Sequence, residues 1–294
     1  MLHLAVATNS ETYERMQSPL RERGIEPRHI ETAERSVRLS AGEKAYRSAG
    51  TTDPFDVGFV FPPRLAEGGV ASGLLDVPWI NGREAVLRSR FKGETLAHLS
   101  TAGVPVPDSV VLSDPVDESA LKEAFEQFDP PVIIKPNSTT RGVGIAKAHD
   151  LDSFLGICDY LDLVHDYRAT GDQSFLVQEY LPDARDYRVM LIDGEAVGAV
   201  ERQLPADALE AGQWKHNVHR GAEATGVTLD AELCGLAERA AETLDIPWLG
   251  VDLLVTDERA VVNETSARPT IDAATKYEDG FWNDVADLVE SYAE

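Results

Sequence analysis

Two apolar runs near the end of the chain constrain its fold more than any other feature. Residues 248–255 and 260–264 flank a four-residue polar turn, which predicts an antiparallel β-hairpin. Because strand side chains alternate between faces, Asp252 lies opposite either Asn263 or Glu264. In the second register two carboxylates share one face, with Cβ atoms about 5 Å apart. A divalent cation such as Mg²⁺ bound between the two carboxylates would offset their repulsion. The alternative is that both are solvated surface residues of an acid-rich chain.

The rest of the pattern predicts an α/β chain in three parts. Strands alternating with helices in residues 1–90 favour a parallel sheet. Residues 91–177 hold a second, compact strand–helix unit. Residues 178–294 contain hairpins, one of them at the Asp193–Gly194 turn. A single helix is expected over 84–103, across the first boundary.

The excess of acidic residues limits the partners. The chain has 51 Asp and Glu against 27 Lys and Arg, a formal net charge of −24, which argues against nucleic acid. The even distribution of Asp and Glu along the chain and the scarcity of lysine resemble the composition of proteins from salt-loving archaea. In such proteins, molar salt screens the repulsion between the negative charges. No apolar run approaches the roughly 18 residues of a membrane span. Two cysteines without a CxxC pair favour a reducing, cytoplasmic setting.

A strand that ends in lysine precedes a loop rich in glycine and hydroxyls. The sequence PVIIK predicts a strand ending at Lys135. The following loop can present backbone N–H groups and hydroxyls to phosphate, although it lacks the Walker pattern. Its hydroxyl and glycine residues include Ser138, Thr139, Gly142 and Gly144. An ordinary surface hairpin is the alternative.

A series of short motifs gives a family resemblance. In chain order these are SRFK, VIIKP, STTRGVG, QEYL, DYR, NVHRG, GVD and ETSARP. Their order and spacing over residues 56–270 resemble the ATP-grasp ligases, most closely the RimK and glutathione-synthetase branch. The resemblance implies an α/β (α+β) fold. Its parts would be an N-terminal Rossmann-like pre-ATP-grasp domain, a mobile lid subdomain and a C-terminal subdomain with a mixed or antiparallel sheet.

The resemblance also implies roles for individual side chains, with two lysines on the nucleotide phosphates, a hinge at the adenine and an aspartate near the ribose. Residues assigned to the nucleotide are Lys92, Lys135, Ser138, Thr139, Gly142, Gly144, Gln178, Glu179, Tyr180, Asp186, Arg188 and Arg202. Residues assigned to catalysis are Asn217, Arg220 and Arg268, the last of which would grip a substrate carboxylate or the acyl phosphate. Residues assigned to the metal are Asp252, Glu264 and Ser266.

One position departs from the family pattern. The family has Glu-x-Asn, with the Asn also on the metal, whereas this chain has Glu264 followed by Thr265 and Ser266. Ser266 keeps the same face but offers its oxygen on a shorter side chain, so a second metal ion would be held more weakly. Asn263 could replace the missing Asn only with a register shift, and we expect it on the opposite face.

The implied activity is that of an ATP-dependent carboxylate–amine ligase, with Mg²⁺ or Mn²⁺, acting through an acyl phosphate. Its substrates would be a small-molecule carboxylate and an amine, an amino acid or a small peptide, contacted by loops at 64–69 and 204–212. Two other activities stay open: an ATP-grasp kinase, and a regulatory protein that binds nucleotide without turnover. The Ser266 departure is the best support for the second. The resemblance is compatible with a homo-oligomer and implies no membrane or nucleic-acid partner.

Overall fold

The computed structural model describes residues 1–34, 36–46, 53–114, 116–140, 142–165, 172–271, 277 and 279–293. These residues form three β-sheets with helices packed against them. Within them, no helix combines the length and the apolar character that crossing a bilayer requires. The mixed α/β class with parallel and antiparallel sheets is confirmed.

The N-terminal part is built on a parallel sheet of four strands in the order β2–β1–β3–β4. The strands are β1 (Leu2–Val6), β2 (Ile25–His29), β3 (Val57–Phe59) and β4 (Trp79–Ile80). The helices are α1 (Ser10–Arg21), α2 (Leu65–Leu75), α3 (Arg83–Arg90) and α4 (Lys92–Thr101), with a 3₁₀ helix at Leu39–Tyr46. The predicted loop at 64–69 is therefore wrong, because most of it forms the first turns of α2.

The single helix expected over 84–103 is also wrong, because the chain breaks at Phe91 into α3 and α4. Phe91 adopts an extended conformation, with φ −88° and ψ 104°. The first N–H groups of α4 are bound by another part of the chain. Lys92 N donates to the Asn137 carbonyl at 3.1 Å, and Gly93 N donates to Asn137 Oδ1 at 2.8 Å. These contacts act as a cap from outside the helix and fix the position of Lys92.

The middle of the chain forms an antiparallel sheet of four strands, called here the lid sheet, in the order β5–β8–β6–β7. Its strands are β5 (Ser109–Ser113), β6 (Val132–Pro136), β7 (Ala146–Ala148) and β8 (Ser174–Glu179), covered by α5 (Glu118–Phe125) and α6 (Leu151–His165). Strand β8, which crosses the predicted boundary at 177, pairs with β5 and β6. The lid sheet has its own apolar core, which includes Phe125, Phe154 and Phe175.

The C-terminal sheet is antiparallel, with five strands in the order β11–β10–β9–β12–β13. Its strands are β9 (Arg185–Ile192), β10 (Glu195–Gln203), β11 (Glu223–Val227), β12 (Trp248–Val255) and β13 (Ala260–Ser266). Its helices are α7 (Ala206–Glu210), α8 (Ala231–Leu244) and α9 (Phe281–Ser291). The predicted loop at 204–212 thus contains a short helix. Asp193 and Gly194 both have positive φ, as a tight hairpin turn between β9 and β10 requires.

The C-terminal sheet shares one apolar core with the N-terminal sheet, whereas the lid sheet keeps a core of its own. Phe59 of β3 packs edge-on against Trp248 of β12, with ring centroids 5.3 Å apart. The candidate site lies where polar side chains of the lid sheet meet the hairpin of β12 and β13.

Candidate active site

The hairpin of β12 and β13 adopts the register that opposes two carboxylates. Asp252 pairs with Glu264, and the next pair is Leu253 with Val262. Asn263 is therefore an extra residue without a partner across the strand, which makes it a β-bulge. The two carboxylates consequently project from the same face of the sheet, as the alternation of the sequence allowed.

The bulge also turns Asn263 toward the lid sheet. Lys135 Nζ donates to Asn263 Oδ1 at 3.2 Å. The expectation that Asn263 would face the opposite side is thus wrong. A bulge inserts one residue into the strand and re-aims its side chain, so counting alternate residues fails at this position. Asn263 is a cleft residue that the sequence pattern did not assign to the site.

Lys92 and Lys135 converge on the hairpin from two elements. Lys92 begins α4; its Nζ lies 3.7 Å from Glu264 Oε1 and donates to the Thr139 carbonyl. Lys135 lies one residue before the end of β6 and is only 2% exposed. Burial lowers the pKa of Lys135 to about 8, the charge of Glu264 opposes that shift, and the charge of Lys92 adds to it. Two lysines and the hairpin carboxylates therefore face one cleft.

Asp252 is held by two arginines of neighbouring strands. Arg188 Nε and Nη2 donate to its two oxygens at 2.7 and 2.8 Å, and Arg202 Nη2 lies 3.0 Å from Oδ2. Burial alone would raise the pKa of Asp252, but Arg188 and Arg202 outweigh it and lower the pKa to about 2. Arg202 Nε also donates to Asp186 Oδ1 at 3.0 Å. Burial raises the pKa of Asp186 to about 7 despite that partner.

The donors present fit a divalent cation that is shared with a nucleotide. Asp252 stays anionic and lies opposite Glu264, so two carboxylates share one face, although arginines bind both oxygens of Asp252. In the described part of the chain, no three His, Cys, Asp or Glu side chains come together as a metal-binding group. Mg²⁺ usually takes one or two protein carboxylates and completes its shell with phosphate oxygens and water. Ser266 Oγ accepts from Arg268 N at 3.3 Å, and its place on the metal stays a prediction.

The predicted hinge residues Gln178 and Glu179 use their side chains within the protein. Gln178 is buried, and its Nε2 donates to Ser109 Oγ at 2.8 Å. The Glu179 carboxylate accepts from Arg259 and, at 2.8 Å, from the backbone N–H of Asp108. Glu179 thus links the end of the lid sheet to the hairpin of β12 and β13. Any contact of this segment with adenine stays a prediction.

An aromatic pair lies beside the hinge. The Tyr180 ring meets the Trp214 ring edge-on, with centroids 6.2 Å apart. Lys147 Nζ lies 4.5 Å from the centroid of Tyr180 and 5.1 Å from that of Trp214. Lys215 Nζ donates to the Ile145 carbonyl. Trp214 was not assigned from sequence, and only its nearness to the NVHRG motif could have indicated it.

The glycine-rich loop touches the segment that carries Asn217. A Cβ on Gly142 would lie 2.5 Å from Asn217 Oδ1, and φ at Gly142 is +68°. A Cβ on Gly144 would lie 2.7 Å from the Pro136 ring. Glycine is needed at both positions, because a side chain would push the loop off its neighbours. Within the same loop, Thr139 Oγ1 donates to the Val143 carbonyl at 2.9 Å.

The remaining predicted catalytic residues, Arg220 and Arg268, have other neighbours in the structure. Arg220 is exposed and close enough to Lys215 to add to the effect of burial, which lowers the pKa of that lysine. Arg268 is partly buried; its guanidinium donates to the carbonyls of Phe61 and, at 2.7 Å, Ala7. Burial lowers the pKa of Arg268 to about 10. Arg268 therefore binds backbone carbonyls that follow β1 and β3, and its contact with a substrate carboxylate or the acyl phosphate stays a prediction.

Comparisons with known proteins agree on the fold. The RimK-like ATP-grasp domain family matches residues 89–283. A probable alpha-L-glutamate ligase 2 of Shewanella frigidimarina is 27% identical over 230 residues, which cover 75% of this chain and 69% of that protein. A ribosomal protein bS6–L-glutamate ligase of Salmonella paratyphi B is 28% identical over 199 residues, covering 67% of this chain and 62%, less than two thirds, of that protein.

Solved structures match nearly the whole chain. The RimK domain ATP-grasp protein from Sphaerobacter thermophilus superimposes with a TM-score of 0.69 at 21% identity, covering 99% of both chains. The D-alanine–D-alanine ligase from Bacillus anthracis gives a TM-score of 0.68 at 15% identity, covering 100% of this chain and 97% of that one. At these identities the match concerns the fold, and it confirms the predicted architecture.

Proposed function

Because the chain belongs to the RimK-like ATP-grasp family, we propose that it is an ATP-dependent, Mg²⁺-using ligase that joins a carboxylate to an amine. The substrate carboxylate would attack the γ-phosphate of ATP and give an acyl phosphate and ADP. The amine would then displace phosphate and form an amide. This chemistry requires positioning and charge neutralisation more than a nucleophilic side chain.

The observation that carries the proposal is the convergence of two buried lysines on a pair of opposed carboxylates. Lys92 and Lys135 are placed to bind the phosphates, and Asp252 and Glu264 to hold the metal. A bound Mg²⁺ would neutralise charge on the transferring phosphoryl group. The lysines come from α4 and the lid sheet, so they can grip the phosphates from two directions.

Two features point to the substrates: the relatives, and a pair of cationic side chains in this chain. The relatives include probable alpha-L-glutamate ligases and a ribosomal protein bS6–L-glutamate ligase. We propose L-glutamate as one substrate and a small peptide or amino acid as the other. Exposed Arg220, with Lys215 nearby, supplies positive charge in an otherwise acidic chain. Guanidinium groups bind carboxylates in a bidentate manner.

The lid sheet is suited to protect the acyl phosphate from water. It has a separate apolar core and meets the hairpin through polar groups such as Lys135 and Asn263. Contacts of that kind can be exchanged without exposing an apolar core. Closing the lid sheet over the cleft would exclude water, which would otherwise hydrolyse the intermediate.

The test is an ADP-release assay with ATP and Mg²⁺ across pairs of L-glutamate with amino acids and short peptides, in low and in molar KCl. We expect ADP only when both substrates are present, and mass spectrometry should detect the condensed amide. A phosphorylated hydroxyl product would indicate the kinase instead. Nucleotide binding without ADP release from any pair would favour the regulatory protein and contradict the ligase.

A further inference from the structure

Asp252 is the carboxylate that the proposed function gives to the metal, yet arginines already occupy both of its oxygens. Arg188 binds them as a fork at 2.7 and 2.8 Å. Arg202 lies 3.0 Å from Oδ2. A carboxylate offers about four acceptor positions, and a bidentate guanidinium covers the open edge between the two oxygens. A metal ion approaching along that edge would meet Arg188.

The two arginines differ in how firmly they are held. The Arg202 side chain is 8% exposed and lies between Asp186 and Asp252, with bonds to both. The Arg188 side chain is 35% exposed, and Asp252 is its one carboxylate partner in the part of the chain that the structure describes. Arg188 can therefore swing into solvent or toward a ligand, whereas moving Arg202 would leave two buried carboxylates without their shared cation.

Arg188 also stands in line with the proposed metal ligands. It is directly opposite Asp252 across β9 and β12, and Asp252 is directly opposite Glu264 across β12 and β13. The three side chains form a row across three neighbouring strands on one face of the sheet. The cation of Arg188 thus lies beside Asp252, on the side away from Glu264.

Resting on the proposed function, we propose that Arg188 is a built-in counter-cation of the metal site. Without metal it pairs with Asp252, because a buried carboxylate without a partner is costly. When a divalent cation enters with a nucleotide, Arg188 releases Asp252 and its guanidinium turns to the phosphates. Arg188 is on this basis a positioning residue that exchanges one anion for another.

This exchange couples the binding of metal and nucleotide. A metal ion alone must compete with Arg188 for the oxygens of Asp252, so it binds weakly. A nucleotide gives the released guanidinium a phosphate to bind, which offsets the loss of the ion pair. The two ligands should therefore bind with positive coupling, and that coupling should depend on Arg188.

The test measures Mn²⁺ binding by electron paramagnetic resonance in the absence of nucleotide, for wild type, Arg188→Gln and Arg185→Gln. Arg185 lies on the same strand, is exposed and lies over the Tyr187 ring. Arg185→Gln therefore removes the same charge as Arg188→Gln without touching Asp252. We expect Arg188→Gln to bind Mn²⁺ alone about tenfold more tightly than wild type, a size common for coupled sites. Arg185→Gln should match wild type.

A purely structural role for Arg188 would give the opposite result, because a disordered site binds metal more weakly. Arg188→Lys keeps the charge with a single donor group and should give an intermediate affinity, which keeps the test valid if Arg188→Gln folds poorly. Circular dichroism checks folding of each variant. Unchanged or weaker Mn²⁺ binding in folded Arg188→Gln would overturn the inference.

Adding ADP separates this inference from the proposed function. With ADP present, wild type should bind Mn²⁺ more tightly, and the gain should be smaller in Arg188→Gln. If wild type binds Mn²⁺ with ADP but the gain is equal in both proteins, the role of Arg188 is wrong and the metal site stands. If wild type binds no Mn²⁺ even with ADP, the metal site itself is wrong and the inference falls with it.

Discussion

The C-terminal sheet is joined to its two neighbours in opposite ways. Toward the N-terminal sheet it shares a continuous apolar core that includes Phe59 and Trp248. Buried Asn81 fastens this side: its amide donates to the carbonyls of Ala267 and Trp248, and its Oδ1 accepts from Trp248 N. Apolar burial and satisfied buried amides resist separation, because opening them exposes both to water.

Toward the lid sheet the joint is polar. Lys135 meets Asn263, and Arg259 pairs with Glu179, while the lid sheet keeps its own core. Ion pairs and hydrogen bonds of this kind can be replaced by bonds to water or to a ligand at small net cost. We infer that the N-terminal side fixes the hairpin in place, whereas the lid side is the one that can open around a nucleotide.

The largest effect is expected when the charge of Lys135 at the polar joint is removed. Lys135→Met keeps the length and apolar stem of the side chain but cannot bind phosphate. We expect kcat/KM for ATP to fall by about 100- to 1,000-fold, as when one charge-stabilising donor is lost from an active site. Steady-state ADP release measures this. Lys122→Met, an exposed lysine of α5, should leave the rate near wild type; an active Lys135→Met enzyme would contradict the site.

Next in size is the loss of the buried amide at the apolar joint. Asn81→Ala leaves three backbone groups of Trp248 and Ala267 without their partner, and alanine at φ +52° adds strain. We expect the free energy of unfolding in urea to fall by about 2–4 kcal/mol. Asn283→Ala, which removes an acceptor from Arg23 at the surface, is the control and should change it by less than about 0.5 kcal/mol.

A pH dependence should come from Lys135. Burial lowers its pKa to about 8, below the usual value of a lysine, so the free protein loses this charge as the pH rises through 8. Phosphate binding needs the protonated amine. We therefore expect ADP affinity to fall with rising pH above 8, by up to about tenfold per pH unit. Lys135→Arg stays charged, so calorimetric titration of that variant should show a flat profile; a parallel decline would rule out Lys135 as the cause.

The smallest effect concerns the exposed ion pair of the polar joint. Glu179→Gln keeps an acceptor for the Asp108 N–H but loses the charge that pairs with Arg259. Because both side chains are partly exposed, we expect a change of about 0.5 kcal/mol or less in global stability. Hydrogen exchange should nevertheless speed up at the end of β8. A loss of stability as large as that of Asn81→Ala would remove the distinction between the two joints.

Local pattern was enough to predict the hairpin, whereas the meeting of the two lysines was implied by the family resemblance. Alternation left Asp252 opposite either Asn263 or Glu264, and the structure adopts the second register. Strand alternation could not reveal the bulge at Asn263, because an inserted residue leaves no mark in an apolar pattern. The break at Phe91 likewise has no glycine or proline at the residue itself, and it depends on Asn137, far along the chain.

Other site residues depend on long-range packing that sequence spacing does not encode. Arg268 binds backbone carbonyls of Ala7 and Phe61, whose positions follow from the shared core. Trp214 meets Tyr180 only because a surface segment folds back over β7. The domain boundaries at 90 and 177, and a salt-loving origin, stay predictions. The salt-loving origin can be tested by measuring thermal stability against KCl concentration. Equal stability in low and molar salt would refute it.

The most direct measurement is hydrogen exchange with and without Mg²⁺ and ADP. A nucleotide held in the polar joint should slow exchange on both of its sides together, in residues 137–140 of the lid sheet and in β13. Exchange in β1 and β3 of the N-terminal sheet should stay the same. Protection confined to one side of the joint, or found only in the N-terminal sheet, would show that the nucleotide does not lie between the lid sheet and the hairpin.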